Sequence, residues 1–392
     1  MKAKKAFKKI VRVFLIILAI LLLLWLLVFI NSKIRFKRDK TFLEEKGYCN
    51  LVSAGEYSVN VLICGNENGN HRIIAMAGYG IPDSCITMRR MTAALESDNQ
   101  VIFIDRAGYG ISDDTTQDIT VEKIVEAYRT ALKNAGIKAP YVLMPHSIGG
   151  VYATYWESKY PEEIEALAII DGTELDAASP EQQADVSEAV LYYRLDKAGM
   201  GGVGDLLLKQ FLPPKEWLSD DEQRAEYAMT LMTYDSRALL SEKELEIQNI
   251  NTAWDSITTN DVPKIYISTA YFAEEDIEAD GIMSDKLIDR LMSERRKLKA
   301  ELEEQYKSGK ISQEIYDELL PELPDTQEKS RQLALEDFLR NRQEYKQQRL
   351  LPYFEKLGNC ELVNLPGNHF IYEQKPDKCG QIIREFIDGL DQ

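Results

Sequence analysis

The sequence predicts an α/β protein, a mostly parallel central sheet flanked by helices, carried behind one N-terminal transmembrane helix and interrupted by helical cap insertions. Three observations predict it. Short unbroken apolar runs alternate with amphipathic helical patterns from about residue 56 to 172 and resume near residue 264. One of these runs, Tyr141–Met144, leads within three residues to a serine and a glycine pair that open a helix (PHSIGG). Eighteen consecutive apolar residues, Val13–Ile30, stand near the N-terminus.

The apolar run is preceded by Lys2, Lys4, Lys5, Lys8, Lys9 and Arg12. As a helix it spans ~27 Å, close to the hydrocarbon thickness of a bilayer. Secretory signal cores run only about 7–15 residues, and no small-x-small cleavage site follows Ile30. A buried core helix would show a polar face, and none is present. Residues 13–30 are therefore expected to form an uncleaved single-pass membrane anchor, with residues 1–40 as the anchor and its basic flanks. Six basic residues precede the run and five follow it (Lys33, Arg35, Lys37, Arg38, Lys40). The positive-inside rule then gives a slight bias that places the rest of the chain outside the cytoplasm.

Beyond the linker, Glu56–Cys64 reads as a strand paired with the segment near Tyr48–Ser53. Further strands are expected at Arg72–Met76, Val101–Ile104, Tyr141–Met144, Leu167–Ile170, Lys264–Ser268 and Glu361–Leu365. Helices fit Ser84–Ser97, Thr120–Asn134 and Ser147–Lys159; in the second, Val121, Ile124, Val125, Tyr128 and Leu132 share one face and Thr120 offers a cap. Apolar strands without alternation, joined by amphipathic helices, indicate a parallel sheet covered on both faces. Residues 41–172 and 262–392 form this core. Two largely helical intervals interrupt it. One is 173–261, with the glycine cluster at 199–205 and Pro213-Pro214. The other is the charge-rich 277–350, with apolar positions at Leu287, Ile288, Leu291, Met292, Leu298 and Leu302.

Composition excludes several functions. With 45% apolar residues a sizeable core can form, so the chain is not disordered. Residues 1–40 hold eleven Lys/Arg and one Asp, leaving 36 basic against 63 acidic residues in the remainder, a body that repels nucleic-acid phosphate. Five cysteines without a CxxC pair argue against a disulfide scaffold or zinc module, and three histidines against histidine-rich metal chemistry. Ala77-Gly78-Tyr79-Gly80 recurs as Ala107-Gly108-Tyr109-Gly110, but Asp83 and Asp113 stand where GxGxxG needs its third glycine, and there is no P-loop. No metal and no cofactor are expected.

The chemistry centres on Ser147. A serine on a tight strand-to-helix turn has its hydroxyl pushed out of the sheet, beside the free N–H groups and positive dipole end of the helix. Gly149 suits such a turn, because a side chain there meets the neighbouring strand. An ordinary capping serine is the plainer reading of the same residue. Among the histidines, His71 precedes a strand and His146 adjoins Ser147, its ring turned away. His369 follows the last strand-like run, at the carboxyl end of the sheet where open α/β sheets hold their ligands, and is the candidate base.

Together PHSIGG, DRAGYGISD (105–113), Tyr160-Pro161-Glu162 and GNHFIYEQKP (367–376) resemble the α/β-hydrolase superfamily, serine-dependent branch, over about residues 47–172 and 262–392. The resemblance implies Ser147 as nucleophile, His369 as general base and an oxyanion hole from the N–H groups of Tyr79 and Ile148. It implies an acid either at Asp171, directly after LAII, or at Asp276, after KIYIS. Asp171 abuts its strand without slack and fits the branch pattern better. Pro145 stands where the elbow motif G-x-S-x-G has its first glycine, and Ala77 where a histidine often opens the oxyanion loop.

These features point to a membrane-anchored serine hydrolase cleaving a carboxylic ester, thioester or amide through an acyl-enzyme, on a small-molecule, lipid or peptide acyl substrate. Serine at the elbow argues against haloalkane or epoxide chemistry, which in this superfamily uses a carboxylate nucleophile. A non-catalytic binding or scaffold protein and an acyltransferase with the same triad are the alternatives. The insertions are expected to cap the carboxyl ends of the strands, with Tyr192, Tyr193, Trp217, Met229, Met232 and Trp254 as candidate pocket lining, although at helical spacing such residues are more often plain core.

Overall fold

The computed structural model describes residues 2–175, 186–195, 197–198, 215–320, 323–324 and 326–390. Its centre is an eight-stranded sheet in the order β1-β2-β4-β3-β5-β6-β7-β8. The strands are β1 (Leu51–Ser53), β2 (Ser58–Gly65), β3 (Arg72–Met76), β4 (Gln100–Ile104), β5 (Tyr141–Pro145), β6 (Ile164–Ile170), β7 (Lys264–Ser268) and β8 (Cys360–Asn364). The β1–β2 and β2–β4 pairs are antiparallel; every pairing from β4 through β8 is parallel.

Side chains alternate across a strand, so each apolar strand feeds two cores. With the first helices in chain order α1 (Lys2–Glu45), α2 (Cys85–Thr92), α3 (Val121–Asn134) and α4 (Gly149–Lys159), the side chains of Ile74, Met76, Ile102, Leu143, Leu167 and Ile169 pack on one face with α3 and α4. Ile73, Ala75, Val101, Phe103, Val142, Ala168 and Ile267 pack on the other with Met88 and Met91 of the helix Cys85–Thr92 and Cys379 and Ile383 of the helix Pro376–Asp388. Double-sided burial is why these strands read as unbroken apolar runs. The Thr120 hydroxyl caps α3, accepting from the Lys123 N–H. Strand β6 starts three residues earlier than its apolar run, because Glu165 within it faces out to accept from or pair with His71 Nδ1 at 3.0 Å.

One long helix, Lys2–Glu45, carries the apolar run, and its apolar side chains there are exposed except the half-buried Val28 and Phe29. It continues past residue 40. Phe42 and Leu43 are buried against Met229 and Ala225 of the helix Asp220–Tyr234 and against Ile86 and Ile111 of the core. The first insertion supplies the helices Ser187–Leu195, Asp220–Tyr234, Arg237–Glu244 and Glu246–Ser256 between β6 and β7. The second places the helices Glu274–Ala279, Asp285–Lys307, Gln313–Leu319 and Gln327–Tyr345 between β7 and β8. There Ile288, Leu291 and Met292 pack with Leu333 and Ala334 of the facing helix, while Leu298 stays exposed. The glycine cluster at 199–205, Pro213-Pro214 and the Tyr192 side chain lie outside the described residues.

Candidate active site

At the end of β5 the backbone turns sharply. Ser147 sits at φ 55°, the left-handed region that costs a non-glycine residue about 1–3 kcal/mol and is held only where packing over-determines it. Two features hold it. His146 extends the strand by a parallel bridge to Ile170, and α4 begins two residues after the serine. The turn leaves little room: a Cβ on Gly149 would lie 3.0 Å from the Met76 carbonyl oxygen, and one on Gly78 would lie 2.9 Å from the Ser147 Cβ. The serine hydroxyl is thereby pushed out at the carboxyl end of the sheet, at the N-terminus of α4.

Strands β5, β6, β7 and β8 are successive neighbours, so their carboxyl-end loops converge. From the β8 loop, His369 brings Nε2 to 2.9 Å from Ser147 Oγ. From the end of β6, Asp171 places Oδ2 2.6 Å from His369 Nδ1. Asp171 is itself at φ 39°, and its Oδ1 accepts the Thr269 N–H from the β7 loop at 3.2 Å. The carboxylate can thus hold the imidazole with Nδ1 protonated and Nε2 free to accept from the serine. The His369 side chain is 46% exposed, reachable by a substrate, whereas that of Asp171 is 19% exposed. Behind it lies His146, buried, its Nε2 2.8 Å from the His369 carbonyl oxygen and its ring centroid 4.5 Å from that of His369. Burial, reinforced by His369 beside it, pushes the His146 imidazole down to about 3, so it is neutral and its Nε2–H donates to that carbonyl.

The two Ala-Gly-Tyr-Gly segments meet. The Gly80 N–H donates to the Tyr109 hydroxyl at 3.3 Å. Arg106, buried and lying 4.1 Å over the Tyr109 ring, donates from Nη1 to the Ala77 carbonyl (2.7 Å) and from Nη2 to the Gly78 carbonyl (2.8 Å). Its Nε donates to Glu242 of the first insertion at 3.1 Å, and the other Glu242 oxygen accepts the Tyr152 hydroxyl of α4 at 2.6 Å. This buried clamp orients the peptide that carries the Tyr79 N–H. Neither Arg106 nor Glu242 was singled out from the sequence; they are 136 residues apart, and only DRAGYG marked one of them.

A cleft of about 580 Å³ opens beside Ser147 and His369. Among the described residues no group of three or more His, Cys, Asp or Glu side chains is arranged to hold a metal ion.

A family model described as "alpha/beta hydrolase fold" matches residues 77–199. Solved structures agree over most of the chain. Haloalkane dehalogenase DatA from Agrobacterium tumefaciens C58 aligns over 87% of this chain and 96% of its own at TM-score 0.51 and 15% identity. A thermophilic esterase from Thermogutta terrifontis aligns over 88% and 99% at TM-score 0.50 and 14% identity. The fold is that of the α/β hydrolases. A curated relative, Uncharacterized protein YbdG of Bacillus subtilis (strain 168), is 35% identical over 159 residues, 41% of this chain and 48% of its own length. The chain thus matches only about half the length of that relative.

Within this α/β-hydrolase fold the structure brings Ser147, His369 and Asp171 together and leaves Asp276 out. Asp276 lies in the first turn of the helix Glu274–Ala279, while the imidazole Nδ1 is on Asp171. The reason is topological: β6 adjoins β5, so a carboxylate directly after β6 is already beside the serine. Ile148 directly follows the serine, and Tyr79 directly follows Gly78, whose backbone passes close to Ser147. The candidate lining residues fall elsewhere. Tyr193, Trp217, Met229, Met232 and Trp254 do not line the cleft. Trp217, Met229 and Met232 pack around Phe42 and Leu43, and Trp254 packs on the main core with Lys356 over its ring. The far wall instead comes from the second insertion, as Ile282, Phe338, Arg342 and Tyr345. A charge-rich helix gives no sign in its sequence that its partly apolar face borders a cleft.

Proposed function

We propose that the protein is a membrane-anchored serine hydrolase that transfers an acyl group to water. The observation that carries this reading is the Ser147–His369 contact at 2.9 Å, with His369 held by Asp171 at 2.6 Å on its other nitrogen. As Ser147 Oγ attacks a carboxylic ester, thioester or amide, its proton passes to His369 Nε2, and Asp171 stabilises the resulting imidazolium. The Ile148 and Tyr79 N–H groups receive the oxyanion, the latter on a peptide steadied by Arg106. Collapse of the tetrahedral adduct breaks the bond to the leaving group, which takes the proton back from His369. Water then gives its proton to His369 and attacks the acyl-serine, and collapse returns the proton to Ser147 and releases the acid.

The apolar helix, with residues 13–30 in the bilayer, would tether this body to a membrane with the active site outside the cytoplasm. Rigid packing of Phe42 and Leu43 into the body supports a fixed seat close to the surface rather than a long flexible leash. Fluorophosphonate labelling of the full chain tests the reading. Labelling at Ser147 that is lost in Ser147→Ala, with loss of p-nitrophenyl ester hydrolysis, is the expected result. Folded protein that is not labelled points to a binding protein instead, and acyl products appearing with added alcohols but not with water point to an acyltransferase.

A further inference from the structure

The cleft beside Ser147 contains three charged side chains besides the histidine, and two are already engaged. Asp171 is bound by His369 and by the Thr269 N–H. Glu174 accepts from the hydroxyls of Tyr266 (3.2 Å) and Tyr345, and its burial raises its pKa above the usual carboxylate range. The third is Arg342, on the helix Gln327–Tyr345. Phe338, Arg342 and Tyr345 are spaced by four and three residues, so they share the helix face that walls the cleft. The guanidinium lies 5.1 Å from the centre of the Phe338 ring and forms no ion pair with a described residue.

Acidic residues outnumber Lys and Arg 64 to 47, so carboxylates are plentiful. Several half-buried or buried cations have found them: Arg129 with Glu163 at 2.6 Å, Arg295 with Asp337 at 2.5 Å, Lys215 with Glu226 at 2.6 Å and Arg106 with Glu242 at 3.1 Å. A guanidinium partly withdrawn from water beside an aromatic ring, with its hydrogen-bonding fork uncommitted, is matched to an incoming carboxylate or phosphate.

We infer that Arg342 selects substrates whose acyl part bears an anionic group, as in a half-ester of a dicarboxylic acid, on the strength of its unpaired guanidinium in the wall of the Ser147 cleft. This rests on Ser147 being the nucleophile. An acyl chain attached at Ser147 would carry its anionic end toward the second insertion, where Arg342 meets it.

The test compares kcat/KM for p-nitrophenyl hemiglutarate and for neutral p-nitrophenyl pentanoate in the full chain, in Arg342→Gln and in Arg342→Lys. The parent should favour the anionic ester. Its anionic-to-neutral ratio should fall ~10- to 100-fold in Arg342→Gln, the range of a charge-assisted hydrogen bond, and recover in part in Arg342→Lys. A ratio unmoved by Arg342→Gln overturns the inference while leaving the hydrolase reading intact. Calorimetric binding of monomethyl glutarate to Ser147→Ala needs no turnover. Binding that is lost on adding Arg342→Gln upholds anion recognition even if the parent hydrolyses neither ester, and absent binding overturns it. Stronger competition by inorganic phosphate than by glutarate would identify the anion as a phosphate.

Discussion

Replacing Glu242 by alanine tests how the first insertion reaches the active site. Arg106 and Glu242 are 3% and 2% exposed, so neither charge is relieved by water. Glu242→Ala leaves the guanidinium buried with its two carbonyl acceptors but without its paired carboxylate, and strands the Tyr152 hydroxyl. Breaking a buried pair in this way costs ~3–5 kcal/mol, a large share of the ~5–15 kcal/mol that holds a typical domain folded. Glu242→Gln keeps an acceptor for Arg106 Nε and turns its amide N–H to the Tyr152 hydroxyl, which can accept, so it loses the charge alone and should cost less. The double variant Arg106→Met/Glu242→Leu removes both charges and should regain much of the stability lost in Glu242→Ala, because apolar replacement of a whole buried pair is often neutral. Its rate should not return, since the Ala77 and Gly78 carbonyls lose their clamp and the Tyr79 N–H its aim. Removal of an oxyanion donor costs ~100- to 1000-fold, which bounds the effect from above. Urea unfolding followed by tryptophan fluorescence, with ester hydrolysis per folded molecule, provides both readouts. Glu242→Ala within ~1 kcal/mol of the parent, or a double variant with full activity, would refute the reasoning.

The choice of acid is open to a paired measurement. Asp171→Asn should lower kcat by ~10,000-fold through loss of the imidazole tautomer, whereas Asp276→Asn, which lies away from His369, should stay within about twofold. A third prediction concerns pH. With the His146 imidazole held near 3 against an ordinary value of about 6.5, the unfolded chain binds a proton between those limits that the folded protein refuses. Its contribution is complete above pH 6.5 and is lost as the pH falls toward 3, up to about 5 kcal/mol. His146→Gln, which keeps a donor toward the His369 carbonyl, should flatten the acid side of the stability profile measured by urea titration; an unchanged profile would show that other groups govern it.

Much of the scaffold was legible because its physics is local. Parallel strands buried on both faces must be apolar throughout, so Arg72–Met76 and Lys264–Ser268 appear in the sequence with their observed ends. Strand β6 reads short in the sequence because Glu165 breaks its apolar pattern to meet His71, a partner 94 residues away. The elbow was legible for the same local reason, a strand, a serine and a small residue where the backbone must pass the next strand.

By itself the sequence determined an α/β layer order, one long apolar N-terminal helix, and Ser147 and His369 at the carboxyl ends of strands, all consequences of periodicity and chain position. Tertiary structure decided between Asp171 and Asp276, because strand order in the sheet, absent from any local pattern, sets which carboxylate meets the imidazole. It also moved Trp217, Met229 and Met232 from the pocket to the seat of the N-terminal helix, and set Arg342 in the cleft wall instead. Apolar and charged faces of a helix are written in its sequence, but which neighbour each face meets is settled only when distant segments pack.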